Sequence, residues 1–420
     1  MNSPPSKFES SAPTAPPGLL EQRSFVLFWW SRLASVCAFH MQGVAIGWQV
    51  YELTGSAFYL GLVGLIQFVP VVLLTVLIGH VADRYNRLRI VRVSLCVNVL
   101  ASALLGLGSL QGWLTKEYLF AIVFVVATAR AFETPTWQAI IPGLVPQSLL
   151  PRAIAGSTSA GQTAVISGPA LGGLIYAASP SLVYALCTCL FATAVLFMTL
   201  IRAELPVQSR RPLTFETLFA GVGFIRDRRL LLGVISLDLF AVLLGGATAL
   251  LPIFAKDILG TGPWGLGLLR SAPAVGALAA SVILTRYSIN HALGRIMFAC
   301  VALFGVATIV FGLSTSFPLS LAALVVLGAS DAVSIVIRFA LVQVETPDAL
   351  LGRVSAINSL FTNTSNTLGD FRAGLMAASF GAVASVLIGG IGTIVVALIW
   401  MRLFPELREI NRFERDRGSA

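Results

Sequence analysis

The chain has 420 residues, of which 56% are hydrophobic and only 11% charged, and its mean hydropathy is +0.87. Soluble domains of that total length could not cover their surfaces with so few charges, so the composition describes a polytopic membrane protein. All five cysteines lie in apolar stretches, which excludes a secreted disulfide framework.

Residues 1–24 carry five prolines among serines and polar residues and read as a disordered cytoplasmic tail with no cleavable signal peptide. Apolar runs long enough to cross about 30 Å of hydrocarbon then recur. Six of them, at roughly 25–50, 57–80, 91–112, 118–140, 154–178 and 181–201, make an N-terminal half, 25–201. A basic cytoplasmic linker, 202–229, follows. Six more runs, at roughly 230–254, 264–285, 296–314, 318–342, 354–377 and 380–402, make a C-terminal half, 230–403, before a cytoplasmic tail, 404–420. The predicted fold is all-α, with twelve transmembrane helices.

Cytoplasmic loops retain Lys and Arg. With twelve spans, 21 basic residues fall on the side of the termini and only Lys116 and Lys256 on the other, which sets both termini in the cytoplasm. The net charge of +9 is therefore topological and implies no nucleic-acid partner. The halves also repeat: Pro146-Gln-Ser-Leu-Leu-Pro-Arg152 matches Pro347-Asp-Ala-Leu-Leu-Gly-Arg353 at an offset of 201, which also sets Gly168 and Gly173 opposite Gly369 and Gly374. Leu60-Gly-Leu and Leu266-Gly-Leu match at a slightly larger offset. An even number of spans per half makes the repeat parallel, about an axis along the membrane normal.

Between the second and third spans, Gly79-His-Val-Ala-Asp83-Arg84-Tyr-Asn-Arg87-Leu-Arg89 forms a short, charge-dense turn. Its glycine permits close helix approach, while Asp83 and the arginines are expected to bridge to carboxylates or helix C-termini of the other half. The plainer reading is that the arginines enforce topology. In the fifth span, Gly168-Pro169-Ala-Leu-Gly172-Gly173 combines a helix-kinking proline with three residues lacking side chains, suiting a hinge or, as commonly in membranes, tight packing alone.

Charges at the bilayer centre cost about 2.5–3.5 kcal/mol even on the lenient insertion scale, so they face partners or cavities. Five basic residues (Arg32, Arg130, Arg270, Arg338, Arg372) and four acidic ones (Glu133, Asp238, Asp331, Asp370) lie within spans. Arg130 and Glu133 share a helix face, as do Asp331 and Arg338, about 10 Å apart along the axis. The offset of 201 superposes Arg130 on Asp331, which suggests a pair across a central cavity. As proton carriers we rank Asp331, Asp238 and Asp370 in that order, with Arg372 near enough to hold Asp370 ionised although the two point in different directions along the helix. Static packing pairs, or long side chains reaching the interface, are the alternative for Arg32, Arg270 and Glu133. His40 reads as a buried histidine bonded to Gln42 or a neighbouring helix.

The turn motif resembles the Gly-x-x-x-Asp-Arg-x-x-Arg-Arg signature of the major facilitator superfamily, with Leu88 in place of one arginine, and the helix 5 glycines resemble the end of the antiporter signature of its exporters. The segments from Arg130 to Pro146 and from Leu250 to Gly260 resemble the bacterial branch that includes enterobactin exporters and transmembrane secretion effectors, and the likeness runs from about Ser24 to Pro405. It implies two six-helix halves and proton-driven export by alternating access, as a monomer in the bilayer of the bacterial inner membrane, of a small organic molecule such as a siderophore, drug or metabolite. A lipid flippase or facilitative transporter of the same fold is the alternative. No HExxH, CxxC or GxxxxGK(S/T) motif is present, and no motif aligns nucleophiles with the three histidines. A zinc enzyme, an ATP-driven pump, a metal centre and a cofactor are thus not expected.

Overall fold

A computed structural model describes residues 18–203, 223–287 and 291–410; the side chains at 75–76, 79–80, 82–83 and 348–349 also lie outside the description. The expected tail 1–24, linker 202–229 and tail 404–420 therefore fall largely outside it. Twelve helices of 17 residues or more form the described bundle: α1 (Arg23–Thr54), α2 (Ala57–Arg84), α3 (Arg87–Gln111), α4 (Lys116–Ile140), α5 (Leu150–Ala178), α6 (Pro180–Leu200), α7 (Arg229–Gly245), α8 (Gly262–Arg286), α9 (Leu293–Leu313), α10 (Phe317–Glu345), α11 (Asp348–Phe380) and α12 (Ala382–Leu403). A short α13 (Pro405–Glu409) buries Leu407 completely, and Ile410 accepts a hydrogen bond from the Gly294 amide at 3.1 Å. The chain beyond 404 thus begins as a packed element.

Among the described residues, nine helices are long and apolar enough to cross a membrane. The other long helices are α1, α5 and α11, whose spans are diluted by His40 and Gln42, by serines and threonines, and by Asn363, Asn366 and Asp370. Those three lie at the seam between the halves, where a helix does not face lipid on all sides.

Chain order assigns α1–α6 to one half and α7–α12 to the other, and the halves meet at one end. The larger apolar core joins the first half to the far ends of the second: Leu250, Phe254, Leu266, Leu269, Phe311, Leu324 and Ala373 all belong to it. At the opposite end, where the arginine-rich turns lie, the second half keeps its own core around Leu231, Phe298, Leu341, Val354 and Leu407. The far-end junction is made by backbone approach. A Cβ on Gly173 of α5 would lie 2.8 Å from the Cα of Gly267 in α8, and one on Gly374 of α11 would lie 2.5 Å from the Cα of Gly61 in α2. Gly61 with Gly267, and Gly173 with Gly374, are the glycines that the internal repeat pairs. The two crossings are thus related by the pseudo-twofold, each possible only without side chains.

Within α5, which is one continuous helix, a Cβ on Gly168 would meet Cys37 and His40 of α1, at 3.0 and 2.9 Å, and one on Gly172 would meet Met41 at 2.7 Å. Pro169 offers its carbonyl to the α8 crossing, 2.5 Å from where a Gly267 Cβ would stand. This stretch packs α5 against one neighbour on each side. Also at the far end, the Tyr51 hydroxyl of α1 donates to Asp257, in the turn before α8, and Lys256 lies over the Tyr51 ring at 5.5 Å.

The helix 2–3 turn differs from the sequence expectation. Asn86 caps α3 by accepting from the Leu88 amide at 2.9 Å. Arg87 donates to the Ala139 carbonyl at the end of α4 (2.9 Å), and Arg92 to that of Met198 near the end of α6 (3.0 Å). These helix C-termini belong to the arginines' own half, because α4 and α6 present unsatisfied carbonyls beside the turn. Arg89 is exposed; Gly79 and the Asp83 side chain lie outside the described residues.

Candidate functional site

Among the described residues, each half holds a buried cluster built around one charged hub, and the two hubs have opposite sign. In the first half the hub is Glu133, fully buried on α4. Its Oε1 accepts from Ser35 (2.9 Å) and Trp137 (2.7 Å), its Oε2 from Asn98 (3.3 Å). Arg130 pairs with it at 3.5 Å and stacks on Phe39 at 4.1 Å from the ring centroid. In the second half the hub is Arg338 on α10, paired with Asp238 of α7 at 2.5 Å and with Asp331, two turns earlier on the same face of α10, at 3.6 Å. Thr362 of α11 donates to the other Asp238 oxygen at 2.8 Å. The side chains of Arg338 and Asp238 are 7% and 10% exposed, that of Asp331 35%.

The expected pair of Arg130 with Asp331 does not form. Both are the more accessible members of their clusters, and each is held by an opposite charge on its own helix, three and seven residues along, while the halves meet only toward the far end. Repeat equivalence survives as polarity: a basic residue on an acidic hub in one half, an acidic residue on a basic hub in the other.

Asp370 and Arg372, two positions apart on α11, point different ways and hold the two sides of a break in the seventh span. Gly246 adopts φ −59°, ψ 108°, ending α7 at Gly245, and the chain resumes as a 3-10 turn at Thr248–Leu250. Arg372 donates to the Leu244 carbonyl, left open at the helix end, and Asp370 accepts from the Ala249 amide (3.2 Å) at the restart. A cation at a C-terminus and a carboxylate at an N-terminus match the helix dipoles. Arg372 therefore does not serve as the partner of Asp370. Arg372→Ala should cost about 1–3 kcal/mol, the penalty of an unsatisfied buried carbonyl, seen as a lower thermal midpoint in detergent, whereas Arg372→Lys retains most of it. An unchanged midpoint in the alanine variant would dismiss the cap.

A cavity of about 250 Å³ lies between the halves, directly beneath both glycine crossings. His40, Gly43 and Gly47 of α1, Gln67 of α2, Pro169 of α5, Arg270 of α8 and Asp370 line it. His40 has no hydrogen bond to Gln42, which accepts instead from Ser102 at 2.6 Å. A larger groove of about 780 Å³, between the end of α2, α3 and α4, is almost wholly apolar and includes exposed Val93, Phe124 and Val125. It belongs to one half and faces the bilayer side of the bundle, so it has no route between the halves. Among the polar residues at the site that sequence reasoning passed over are the buried Ser35, Asn98 and Ser102 and the half-buried Thr362. Only their recurrence on faces turned toward in-span charges could have marked them.

A profile of the transmembrane secretion effector family matches residues 11–417. The chain is 26% identical to the enterobactin exporter EntS of Citrobacter koseri over 91% of its length and 92% of the relative. It is 22% identical to macrolide efflux protein A of Streptococcus pyogenes, over 93% and 97% respectively. Among solved structures it resembles the nucleoside transporter NupG, with a TM-score of 0.70 at 15% identity, covering 91% of this chain and 99% of that one. It also resembles a bacterial homologue of the human lysosomal transporter Spinster in an inward-facing, occupied conformation, with a TM-score of 0.72 at 13% identity, covering 92% and 96%.

Proposed function

Because the chain belongs to the transmembrane secretion effector family of the major facilitator superfamily, and is therefore a multi-pass membrane transporter of small molecules and no enzyme, we propose that it is a proton-coupled exporter working by alternating access. It acts as a monomer in the bacterial inner membrane with both termini cytoplasmic, so that the arginine-rich end faces the cytoplasm. The observation that carries this reading is the inter-half cavity capped by paired glycine crossings at the far end. Separating the halves there while joining them at the arginine-rich end would pass a bound molecule outward. The exporters of enterobactin and macrolides among its relatives favour the outward direction.

Proton coupling is assigned to the second-half cluster. Asp331 is accessible enough to exchange a proton yet sits 3.6 Å from Arg338, so protonation weakens one ion pair and biases the equilibrium between states. Asp238 is second, being tied to both Arg338 and Thr362, and Asp370 third, since its carboxylate already caps a helix start. The turn motif with Gly79, Asp83, Arg84, Arg87 and Arg89 serves as the cytoplasmic gate.

The test is uptake into proteoliposomes under an imposed pH gradient, with a panel of fluorescent drugs and metal-chelating compounds. Wild type should accumulate at least one of them against its gradient, and Asp331→Asn should lose accumulation while sparing downhill exchange. Accumulation that persists undiminished in the Asn variants of Asp331, Asp238 and Asp370 would turn the reading toward facilitated diffusion or lipid flipping.

A further inference from the structure

The cavity beneath the crossings contains a cation with no direct ion pair: among the described residues its opposite charge in the cavity, Asp370, acts on Arg270 only through space. Among the described residues Arg270 makes no hydrogen bond and no ion pair within 4.0 Å, and its Nε is buried and unpartnered. Its guanidinium lies along the glycine face of α1: a Cβ at Gly43 would stand 3.4 Å from Nη1 and one at Gly47 3.7 Å from Nη2. Glycine at both positions lets the guanidinium lie close against α1, where Arg270 lines the cavity together with His40 and Gln67. The only carboxylate lining the cavity, Asp370, has one oxygen committed to the Ala249 amide. A desolvated guanidinium whose donors lack hydrogen-bond partners is costly unless something else satisfies them, and a planar five-donor fork matches a planar oxyanion bidentately.

We propose that Arg270 is an anion-recognition residue and that the transported molecule carries a carboxylate or an equivalent planar oxyanion on a small head group, docked on Arg270 with His40 and Gln67 as additional polar contacts. The cavity sets the size. About 250 Å³ is room for roughly eight waters at about 30 Å³ each, which admits one aromatic acid and not a large macrocycle in full. Asp370 beside it disfavours a second negative charge. This rests on the cavity being the transport path, and not on direction or proton coupling.

The experiment titrates full-length protein in lipid nanodiscs with benzoate and with benzamide, its neutral counterpart of the same size, followed by calorimetry. Benzoate should bind and benzamide should not. Arg270→Gln should weaken benzoate about tenfold or more, the scale of one charge-assisted bidentate contact, and Arg270→Lys by less, keeping the charge but losing the fork. His40→Phe, which preserves the ring volume, should weaken it about threefold, the scale of one hydrogen bond, and carries the test should Arg270→Gln not fold. Equal binding of benzamide, no benzoate response at millimolar concentration, or unchanged affinity in these variants would overturn the proposal. Since nanodisc binding needs no gradient, its failure beside intact gradient-driven accumulation would strike only the anion site. Benzoate binding without any gradient-dependent transport would strike only the exporter reading.

Discussion

Replacing Gly267 with leucine should abolish transport while leaving a folded, membrane-inserted protein. A side chain there has no room with the far end closed, because its first atom would already be 2.5 Å from the Pro169 carbonyl oxygen and 3.1 Å from the Cα of Gly173. Neither obstacle is the movable end of a side chain, so the halves must part. Overpacking of this kind costs about 1–3 kcal/mol or more, enough to shift a balanced pair of states by roughly five- to 150-fold. The protein should accumulate with its far end open, reporting increased thiol reactivity of a cysteine at Ala377, which is 6% exposed in the closed junction. Gly61→Leu should do the same, since its Cβ would stand 2.9 Å from the Phe371 carbonyl oxygen, whereas Gly352→Leu, with nothing within 4 Å, should be silent. Wild-type rates in Gly267→Leu would mean that the crossing does not open and close during transport.

The second large effect separates stability from coupling within one cluster. Arg338→Met should destabilise by about 3–5 kcal/mol, the cost of leaving a buried charge without its partner, because Asp238 is then held in the interior by Thr362 alone. Adding Asp238→Asn removes the stranded charge and should recover much of that loss. Asp331→Asn should leave the thermal midpoint within about 1 kcal/mol of wild type, as befits a partly exposed pair, while removing gradient-driven accumulation. Thermal unfolding in detergent beside proteoliposome uptake reads both quantities. A midpoint drop in Asp331→Asn as large as in Arg338→Met would make Asp331 a structural residue.

Most of the architecture is written in period and charge placement: apolar runs that cross hydrocarbon, arginines gathered at one end, and a repeat offset that pairs Gly173 with Gly374. The glycine matches were visible as self-similarity, but which glycine meets which needs the third dimension, because each crossing joins non-equivalent positions of opposite halves. In-span charges could be identified as costly and hence partnered, and the same-helix pairs of Arg130 with Glu133 and of Asp331 with Arg338 follow from helical spacing. The cross-cavity pair was misread because repeat equivalence describes symmetry about an axis and not contact. That Asp370 and Arg372 each hold a helix end had no sign in the sequence, because nothing there shows that the seventh span breaks at Gly245-Gly246. The lack of a direct ion pair for Arg270 is a property of the assembled cavity and has no trace in the local sequence.

Opening of the two ends of the bundle in turn is read out by inter-half distances measured at both ends of one preparation. Spin labels at Leu53 and Trp264 report the far end, and labels at Arg152 and Arg353, which the repeat makes equivalent, report the arginine-rich end, in a background lacking the five native cysteines. Opposite changes are expected when a pH gradient is imposed or Gly267→Leu is introduced: the far-end pair lengthens as the arginine-rich pair shortens. Distances that stay fixed at both ends, or that lengthen together, would contradict alternating access through this cavity.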